Sequence, residues 1–338
     1  MEVEAGRLHD FLLRFYPPAK CEFLQTHGDW WYGDRENRWV LLMGDEIAGY
    51  CAGISTRILA DQQVIPAIWW VDLLIAPQFR GLGLQSHFDR KIQELNTLKL
   101  GFPNARAAAI HSRHGWNVRD DLQVRLLPLF PFHMNQVWHA RGWRRVFMKS
   151  AAFLISPWTW VMRQKFEGYM PRSAYQVHEP SSDELAAVFE RAARAVSGTT
   201  YRDSEYFQRR FLNAPYRHEL AFYAAGRKEA PSHFLIARYI KRGHGLVTRI
   251  LDLFGDFEHE ECLKDIILHL LRDAANKGSS QVTVLISRPG LQKLLVKLGF
   301  LFSRRVRFCW MGDPVHTAVL SSENVHWTLS DSDNDEMI

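Results

Sequence analysis

The sequence contains few cysteines and no long apolar run. Its four cysteines are scattered through 338 residues without CxxC spacing, which argues against a disulfide framework and favours a reducing compartment. No window reaches the ~18 uncharged apolar residues that a membrane-spanning helix needs. The first residues carry early acids and lack the apolar core of a secretion signal. These absences predict a cytoplasmic protein without a transmembrane segment.

Several ligand-binding signatures are also missing. There is no GK[ST] ending of a Walker A loop and no GxGxxG of a dinucleotide fold. Basic residues cluster at 141–149 and 303–308, but no zinc-finger, RNP or helix-turn-helix pattern accompanies them, so no specific nucleic-acid partner is expected. His111 and His114 lack an evident third ligand, and we therefore expect no metal site.

The chain has the length and the alternating pattern of a two-domain α/β protein. Its 338 residues exceed the usual size of one domain, and 47% of them are hydrophobic, enough for two cores. Residues 38–59 predict two strands joined at the turn sequence GDE, and "IPAIWWVDLLIAP" predicts a buried strand. Helical spacing follows at Leu84, Phe88, Ile92 and Leu95. The local order is therefore strand, glycine turn, helix.

The glycine turn "APQFRGLGLQ" has the properties of an anion-binding loop. Backbone N–H groups at a helix N-terminus are unpaired and carry partial positive charge, so a phosphate group can bind there if no side chain blocks it. Gly81 and Gly83 leave that approach clear, and Arg80 adds a cation at its rim. The sequence thus predicts a site for a phosphate-bearing ligand.

These residues resemble a motif of the GNAT superfamily of acyl-CoA-dependent N-acyltransferases, whose pyrophosphate loop reads [QR]xxGx[GA] after the fourth strand. "RGLGLQ" supplies Arg80 and Gly83, while Gln85 stands where the family has Gly or Ala. A register shifted to begin at Gln78 also fits the letters, although the spacing from the strand favours the first. Further along, "NARAAAIHSRHGW" resembles the family's later helix, with Asn104 in the asparagine position and His111 in the tyrosine position.

The resemblance implies an α/β (α+β) fold in which a mixed, mostly antiparallel sheet is flanked by helices. It implies direct transfer of an acyl group, most simply acetyl, from acetyl-CoA or another acyl-CoA to an amine. An acyl carrier protein or aminoacyl-tRNA donor, and a non-catalytic CoA-binding scaffold, remain alternatives. The implied cofactor-binding residues are Leu74, Ile75, Ala76, Arg80, Gly81, Leu82, Gly83, Leu84, Gln85, Ser86 and Asn104.

Two residues are candidates for catalysis. Asp72 is the one carboxylate in its strand and is the candidate base, with a structural, hydrogen-bonded role as the alternative. His111 occupies the family's acid position, where an imidazole could protonate the departing thiolate. A histidine satisfied within the core is the alternative for His111. Trp69 and Trp70 are expected in the core, with lining of the acceptor pocket as the alternative for one of them.

The second half of the chain repeats the first in a degenerate form. "VDLLIAP" corresponds to "LDLFGDF" and "AIHSRHGW" to "KLLVKLGF", so that Asp252 corresponds to Asp72. The glycine loop is replaced by "DFEHEECL", whose acids would repel a pyrophosphate. We therefore predict tandem GNAT-like domains: a CoA-binding domain at 1–140, a linker at 141–172, a degenerate domain at 173–315 and an acidic, flexible tail at 316–338.

The linker contains the run "AAFLISPWTWVM", which is too short to span a bilayer. Pro157 is expected to interrupt any helix in this segment. Packing between the domains is the favoured role, and peripheral membrane contact or an acyl-binding wall are the alternatives because basic residues flank the aromatic ones. The amine acceptor and the oligomeric state are not encoded in any of these patterns.

Overall fold

The computed structural model describes residues 5–33, 35–134, 137, 140–242 and 245–332, and it divides into two compact units. The first unit contains the described residues of Met1–Asp120, Val306–Ser321 and Asp331–Ile338. The second contains those of Asp121–Arg305 and Ser322–Ser330. Two of the four divisions, at 120/121 and 305/306, fall within strands. The boundaries at 140, 172 and 315 that the sequence predicts stay a prediction.

The first unit is a mixed sheet with helices packed on it. Its elements are α1 (Ala5–Leu12), α2 (Pro18–Tyr32), β1 (Arg38–Met43), β2 (Glu46–Ala60), β3 (Gln63–Ile75), α3 (Gln85–Glu94), β4 (Leu98–Gly101), α4 (Ala105–Arg113) and the start of β5 (Asn117–Pro128). Strands β1, β2 and β3 pair antiparallel, and β3 pairs parallel with β4. The end of β12 (Leu301–Met311) pairs antiparallel with β4.

The predicted strand, glycine turn and helix are confirmed. Strand β3 ends at Ile75, and α3 begins at Gln85 after the loop. Leu84, Phe88 and Ile92 are buried, as the helical spacing predicts. The last two join a cluster of buried side chains on one side of the sheet, made of Cys51, Ile68, Trp70, Phe88, Ile92, Trp116 and Cys309. This packing fixes the direction in which α3 leaves the loop.

The second unit has a larger mixed sheet. Its further elements are α5 (Gly142–Glu167), β6 (Ala174–Val177), α6 (Ser182–Ala193), β7 (Gly198–Thr200), β8 (Leu220–Arg227), β9 (Ala230–Arg242), β10 (Gly245–Gly255), α7 (Glu260–Asn276), β11 (Ser279–Ile286), α8 (Pro289–Lys297) and β13 (Val325–His326). The strand order is β5-β11-β10-β9-β8-β6, in which the β10–β11 pair is parallel. Strands β7 and β13 pair parallel.

The order of elements recurs along the chain. The series β1-β2-β3-α3-β4-α4-β5 is followed by β8-β9-β10-α7-β11-α8-β12. Asn104 is the N-cap of α4 and Arg288 is the N-cap of α8, the correspondence that the sequence repeat predicts. The predicted α/β fold with mixed, mostly antiparallel sheets is confirmed. The repeated order agrees with a tandem duplication, which stays a prediction.

Two sequence predictions outside the sheets are wrong. Helix α5 continues through Pro157, where a break was expected. Pro157 is exposed, and the buried side chains of Ala152, Thr159 and Phe166, which lie before and after it, anchor the helix. Residues 316–332 are not a flexible tail, because the apolar side chains of Leu320, Val325 and Trp327 are buried. Residues 333–338 lie outside the described residues.

Among the residues that the structure describes, no helix is at once long enough and apolar enough to cross a membrane.

Candidate functional site

A cleft opens in the first unit where two parallel strands diverge. The paired register of β3 and β4 ends at Trp69 and Leu100. Beyond this point lies a cavity of about 170 Å³ whose walls come from β3, the start of α4, Trp116 and the end of β12. Its lining residues are Trp70, Val71, Asp72, Leu73, Gly101, Phe102, Pro103, Asn104, Ala107, His111, Trp116 and Cys309. The cleft thus brings together three residues predicted to act in the site: Asp72, Asn104 and His111.

Strand β3 carries a β-bulge in the wall of this cleft. Val71 pairs with Ala52 and Leu74 pairs with Tyr50, so that two residues of β3 oppose Cys51 alone. The first of the two, Asp72, has φ +54°, a left-handed conformation that side chains other than glycine rarely adopt. Such a bulge redirects backbone amides and is frequent beside active sites. The bulge therefore changes the direction of the backbone groups of β3 just beyond the point where β3 stops pairing with β4.

The carboxylate of Asp72 is fully engaged. The hydroxyls of Tyr16 and Tyr32 donate to Oδ1 and Oδ2, the second at 2.6 Å, and Lys20 Nζ lies 3.4 Å from Oδ1. The Asp72 side chain is 2% exposed. Burial, followed by the nearby Asp72 carboxylate, raises the pKa of Tyr32, which keeps the phenol protonated as a donor. This arrangement favours the structural alternative for Asp72 over the catalytic base.

The corresponding residue of the second unit is also structural. Asp252 is completely buried and receives a hydrogen bond of 2.7 Å from Arg202 Nε. The same guanidinium donates to Thr199 Oγ1 and to the Thr200 carbonyl. A shift in the β9–β10 register adjoins Asp252, as a bulge adjoins Asp72. In both units an aspartate therefore holds a distorted strand with buried donors.

The loop between β3 and α3 is open at its surface. Gly81 and Gly83 have φ +86° and +72°, and a Cβ added at either position would meet no atom within 4 Å. Among the described residues, the amides of 81–84 donate to no backbone carbonyl. No side chain caps α3, since Ser86 Oγ donates to the Gly83 carbonyl at 2.7 Å. Consecutive free amides at a helix start are a nest for an anion.

The residues on either side of this loop form hydrogen bonds with backbone carbonyls of the first unit. Arg80 Nε donates to the Ile75 carbonyl at 3.1 Å, which fixes the guanidinium beside the loop. The Ala76 amide donates to the Ala48 carbonyl, and Leu74 pairs with Tyr50, so these two predicted cofactor-binding positions also take part in the sheet.

Within the loop itself, the predicted cofactor-binding residues differ in exposure. Leu82 is exposed, whereas Leu84 is buried and acts as the α3 N-cap residue. The Gln85 Nε2 atom is buried, so the side chain that departs from the family pattern is withdrawn from the loop surface.

The side chain of Asn104 caps helix α4 through its oxygen atom and lines the cleft. Its Oδ1 accepts a hydrogen bond of 3.0 Å from the Ala107 amide, which caps α4. The side chain lies in the wall of the cleft, and its Nδ2 donors are not used by the cap. The amide group is thus fixed in place with donors available for a ligand.

His111 lies on α4 against two indole rings. Its ring centroid is 5.3 Å from that of Trp70 and 4.8 Å from that of Trp116. Burial and the neighbouring His114 lower the pKa of His111 from 6.5 to about 4, so the imidazole is neutral near pH 7. A neutral imidazole is a poor proton donor, which argues against the predicted general acid. It can still stabilise negative charge by donating a hydrogen bond.

The depressed pKa of His111 predicts acid sensitivity of the fold. Because the charged form is disfavoured in the folded state, the stabilisation is fully present above pH 6.5 and is lost as the pH falls towards 4. In going from pH 7 to pH 5, wild type should lose about 2 kcal/mol more unfolding free energy than His111→Phe. Urea titrations at both values measure this difference, with exposed His87→Phe as control. Equal losses in wild type and His111→Phe would contradict the assignment.

Sequence reasoning missed one residue beside the site. Asp89 of α3 carries a buried carboxylate, with the residue 2% exposed. His114 Nε2 lies 3.7 Å from its Oδ2. Burial raises the pKa of Asp89, against opposing contributions from His114 and Gln85. The sequence feature that could have identified Asp89 is its position, four residues after Gln85 on the buried side of an amphipathic helix.

The second unit contains its own cavity at the helix starts that correspond to α3 and α4. It measures about 350 Å³ and is lined by residues that include Phe257, Glu260, Arg288 and Glu323. The Arg288 guanidinium stacks on Phe257 at 4.3 Å, and Glu260 pairs with Lys297 at 3.1 Å. Two acids in the wall oppose the binding of a pyrophosphate. Within the described residues, no group of three or more His, Cys, Asp and Glu side chains could hold a metal ion.

The sequence matches no protein-family profile and no curated protein, but solved structures share its fold. N-myristoyltransferase of Saccharomyces cerevisiae with bound myristoyl-CoA covers 80% of this chain and 69% of its own, with a TM-score of 0.52 and 11% identity. A GCN5-related N-acetyltransferase from Anabaena variabilis covers 86% and 70%, with a TM-score of 0.54 and 15% identity. A probable N-acyltransferase from Enterococcus faecalis covers 90% and 70%, with a TM-score of 0.55 and 11% identity.

These similarities define the fold. The chain has the architecture of GCN5-related N-acetyltransferases and of N-myristoyltransferase, and the predicted GNAT-like fold is confirmed.

Proposed function

We propose that the first unit binds an acyl-CoA and transfers its acyl group to an amine. The observation that carries this proposal is the cleft between β3 and β4, together with the uncapped loop 81–84 at the end of the same strand. An anion site at the strand end and an open strand edge beside it suit a ligand that has a pyrophosphate followed by an extended amide arm. N-myristoyltransferase, which shares this fold, was solved with bound myristoyl-CoA.

The loop would hold the pyrophosphate. The amides of Gly81–Leu84 provide the donors, and Arg80 provides the positive charge. The pantetheine arm would follow the edge of β3 beyond Trp69, where backbone groups are no longer paired with β4. Asn104 Nδ2 would donate to the same arm from the opposite wall. In this pose the thioester reaches the cavity beside His111.

The size of the cavity favours a short acyl group. Its volume is about 170 Å³, whereas sites for small molecules usually begin at roughly 300 Å³. The aromatic side chains of Trp70, Phe102 and Trp116 form part of its walls. We therefore propose acetyl-CoA as the donor, ahead of long-chain acyl-CoAs.

The transfer would proceed by direct attack of a free amine on the thioester. A β3 amide at the bulge would polarise the thioester carbonyl while the C–N bond forms and the C–S bond breaks, and the surplus proton of the attacking nitrogen would pass through solvent to the departing thiolate. Neutral His111 donates a hydrogen bond to the developing negative charge without giving up its proton. Asp72 holds the bulge rather than acting as the base, because its two oxygens already accept from buried donors.

A second candidate is a non-catalytic CoA-binding protein. The carboxylate of Asp72 is engaged and the lowered pKa of His111 makes its imidazole a weak base, so the cleft-lining residues provide no strong proton acceptor. Such a protein would bind CoA through the same loop and release no product. The acyltransferase and the non-catalytic protein therefore differ only in whether bound acyl-CoA reacts with an amine.

The test is an amine-dependent CoA-release assay on the full chain. Acetyl-CoA or myristoyl-CoA is mixed with spermidine, lysine or a peptide with a free N-terminus, and a thiol reagent reports free CoA. We expect at least one amine to accelerate release from acetyl-CoA more than from myristoyl-CoA. His111→Phe should lower this kcat about 10²-fold at unchanged donor Kd. Acetyl-CoA binding without amine-dependent release would support the non-catalytic protein instead.

A further inference from the structure

Helix α5 presents an apolar face to solvent along most of its length. Seven large side chains on it are 56% to 80% exposed: Trp143, Val146, Phe147, Phe153, Leu154, Trp160 and Val161. Their spacings of three, four and seven residues place them on one side of the helix. At 1.5 Å per residue, the stripe is about 27 Å long. A continuous exposed apolar surface of this kind marks an interaction site.

The opposite side of α5 fixes this orientation. Ala152 packs with Met134 and Val137, and Phe166 joins the core of the second unit. Ala152, Thr159 and Phe166 are buried and recur every seven residues. The helix is thus anchored by one face while the aromatic face is directed outward.

The charge of the surrounding segment has a single sign. Residues 122–166 contain seven Lys and Arg and no Asp or Glu. With 37 acids in 338 residues, a segment of this length would carry about five. Arg144, Arg145 and Lys149 are exposed in the first half of the helix, and Lys149, four residues before Phe153, flanks the aromatic face. This face is therefore complementary to a negatively charged, apolar surface.

An apolar crevice opens next to the same helix. It measures about 290 Å³ and is lined by residues that include Phe130, Phe132 and Trp160. The Arg163 guanidinium lies 4.7 Å from the centroid of the Phe130 ring at this crevice. Phe132 and Trp160 are both exposed, so the crevice extends the apolar surface beyond the helix.

We propose that α5 docks on an anionic lipid membrane, lying parallel to the surface with its aromatic face inserted. Helices that bind in this way combine Trp, Phe and Leu on one face with Lys and Arg beside it. The basic residues attract anionic headgroups, and the aromatic rings enter the boundary between headgroups and acyl chains. A second copy of the chain is a poorer partner, because two segments without carboxylates would repel each other.

The test compares vesicle binding of the full chain with that of two matched variants. Sedimentation with phosphatidylcholine vesicles containing one quarter phosphatidylserine should capture the wild type, and pure phosphatidylcholine should capture much less. Phe153→Glu/Leu154→Glu should reduce the partition coefficient at least about tenfold. Leu301→Glu/Phe302→Glu, which alters apolar residues that are 46% and 55% exposed on strand β12, should bind as wild type does. Arg144→Ser/Lys149→Ser should remove most of the salt dependence.

Three results would overturn the proposal. They are equal binding to both vesicle types, equal losses in the two glutamate variants, and a lipid-free dimer, seen by sedimentation velocity, that Phe153→Glu/Leu154→Glu dissociates. Because all the substituted side chains are exposed, near-native circular dichroism is expected for each variant.

Discussion

Replacing Gly83 with valine should raise the dissociation constant for acetyl-CoA at least about 100-fold, since two lost charge-assisted hydrogen bonds are together worth about 3 kcal/mol or more. Gly83 has φ +72°, which a β-branched residue adopts only with strain. The space around its missing Cβ is open and lies beside the free amides of the loop. A valine side chain would occupy that space and displace the amides from the pyrophosphate.

The matched control is Gly278→Val. Gly278 has φ +71° and equally open surroundings, but it lies in a turn of the second unit. Both variants therefore carry the same backbone strain, and their thermal stabilities should fall alike. Isothermal titration with acetyl-CoA should then show weakened binding in Gly83→Val alone. Equal Kd values for the two variants would mean that the loop does not hold the donor.

The second large effect concerns Asp72. We expect Asp72→Ala to lower the unfolding free energy by about 3–5 kcal/mol, because it leaves buried hydroxyls and an ammonium without their acceptor. The side chain is 2% exposed. Its carboxylate accepts hydrogen bonds from the hydroxyls of Tyr16 and Tyr32 and forms an ion pair with Lys20. Alanine is also strained at φ +54°. Denaturant titration of the two chains measures the loss.

Asp72→Asn and Tyr32→Phe separate the structural role from a catalytic one. Asparagine tolerates the left-handed backbone and keeps the side-chain size, so the loss should fall to about 2 kcal/mol. A double-mutant cycle with Tyr32→Phe should give a coupling of about 1 kcal/mol or more. A stable Asp72→Asn variant whose transfer rate falls about 10²- to 10⁴-fold would show instead that Asp72 is the base.

The parts of the site that local chemistry determines were predictable. The glycines between a buried strand and an amphipathic stripe indicate the loop, because helix termini and positive φ angles leave a signature within ten residues. Asn104 and His111 follow from the resemblance to the family's later helix, and both line the cleft. The neutrality of His111 was not predictable, because it depends on two indole rings, one of which comes from a distant strand.

The parts that depend on distant contacts were not predictable. Nothing in the local sequence around Asp72 indicates that tyrosine hydroxyls 40 and 56 residues away donate hydrogen bonds to its carboxylate. Helix propensity argued for a break at Pro157, but packing of the opposite face overrides it. The acids at 331–335 suggested disorder, although the apolar residues just before them are buried. In each case long-range packing decided against the local pattern.

The measurement that tests the central claim most directly is hydrogen–deuterium exchange of the full chain with and without acetyl-CoA. The account predicts slower exchange in peptides covering 70–86 and 101–111, because the donor would bind the loop amides and the edge of β3. It predicts no change at 257–263 or 288–294, which line the larger cavity of the second unit. Protection at the second-unit peptides, with none at 70–86, would contradict the account.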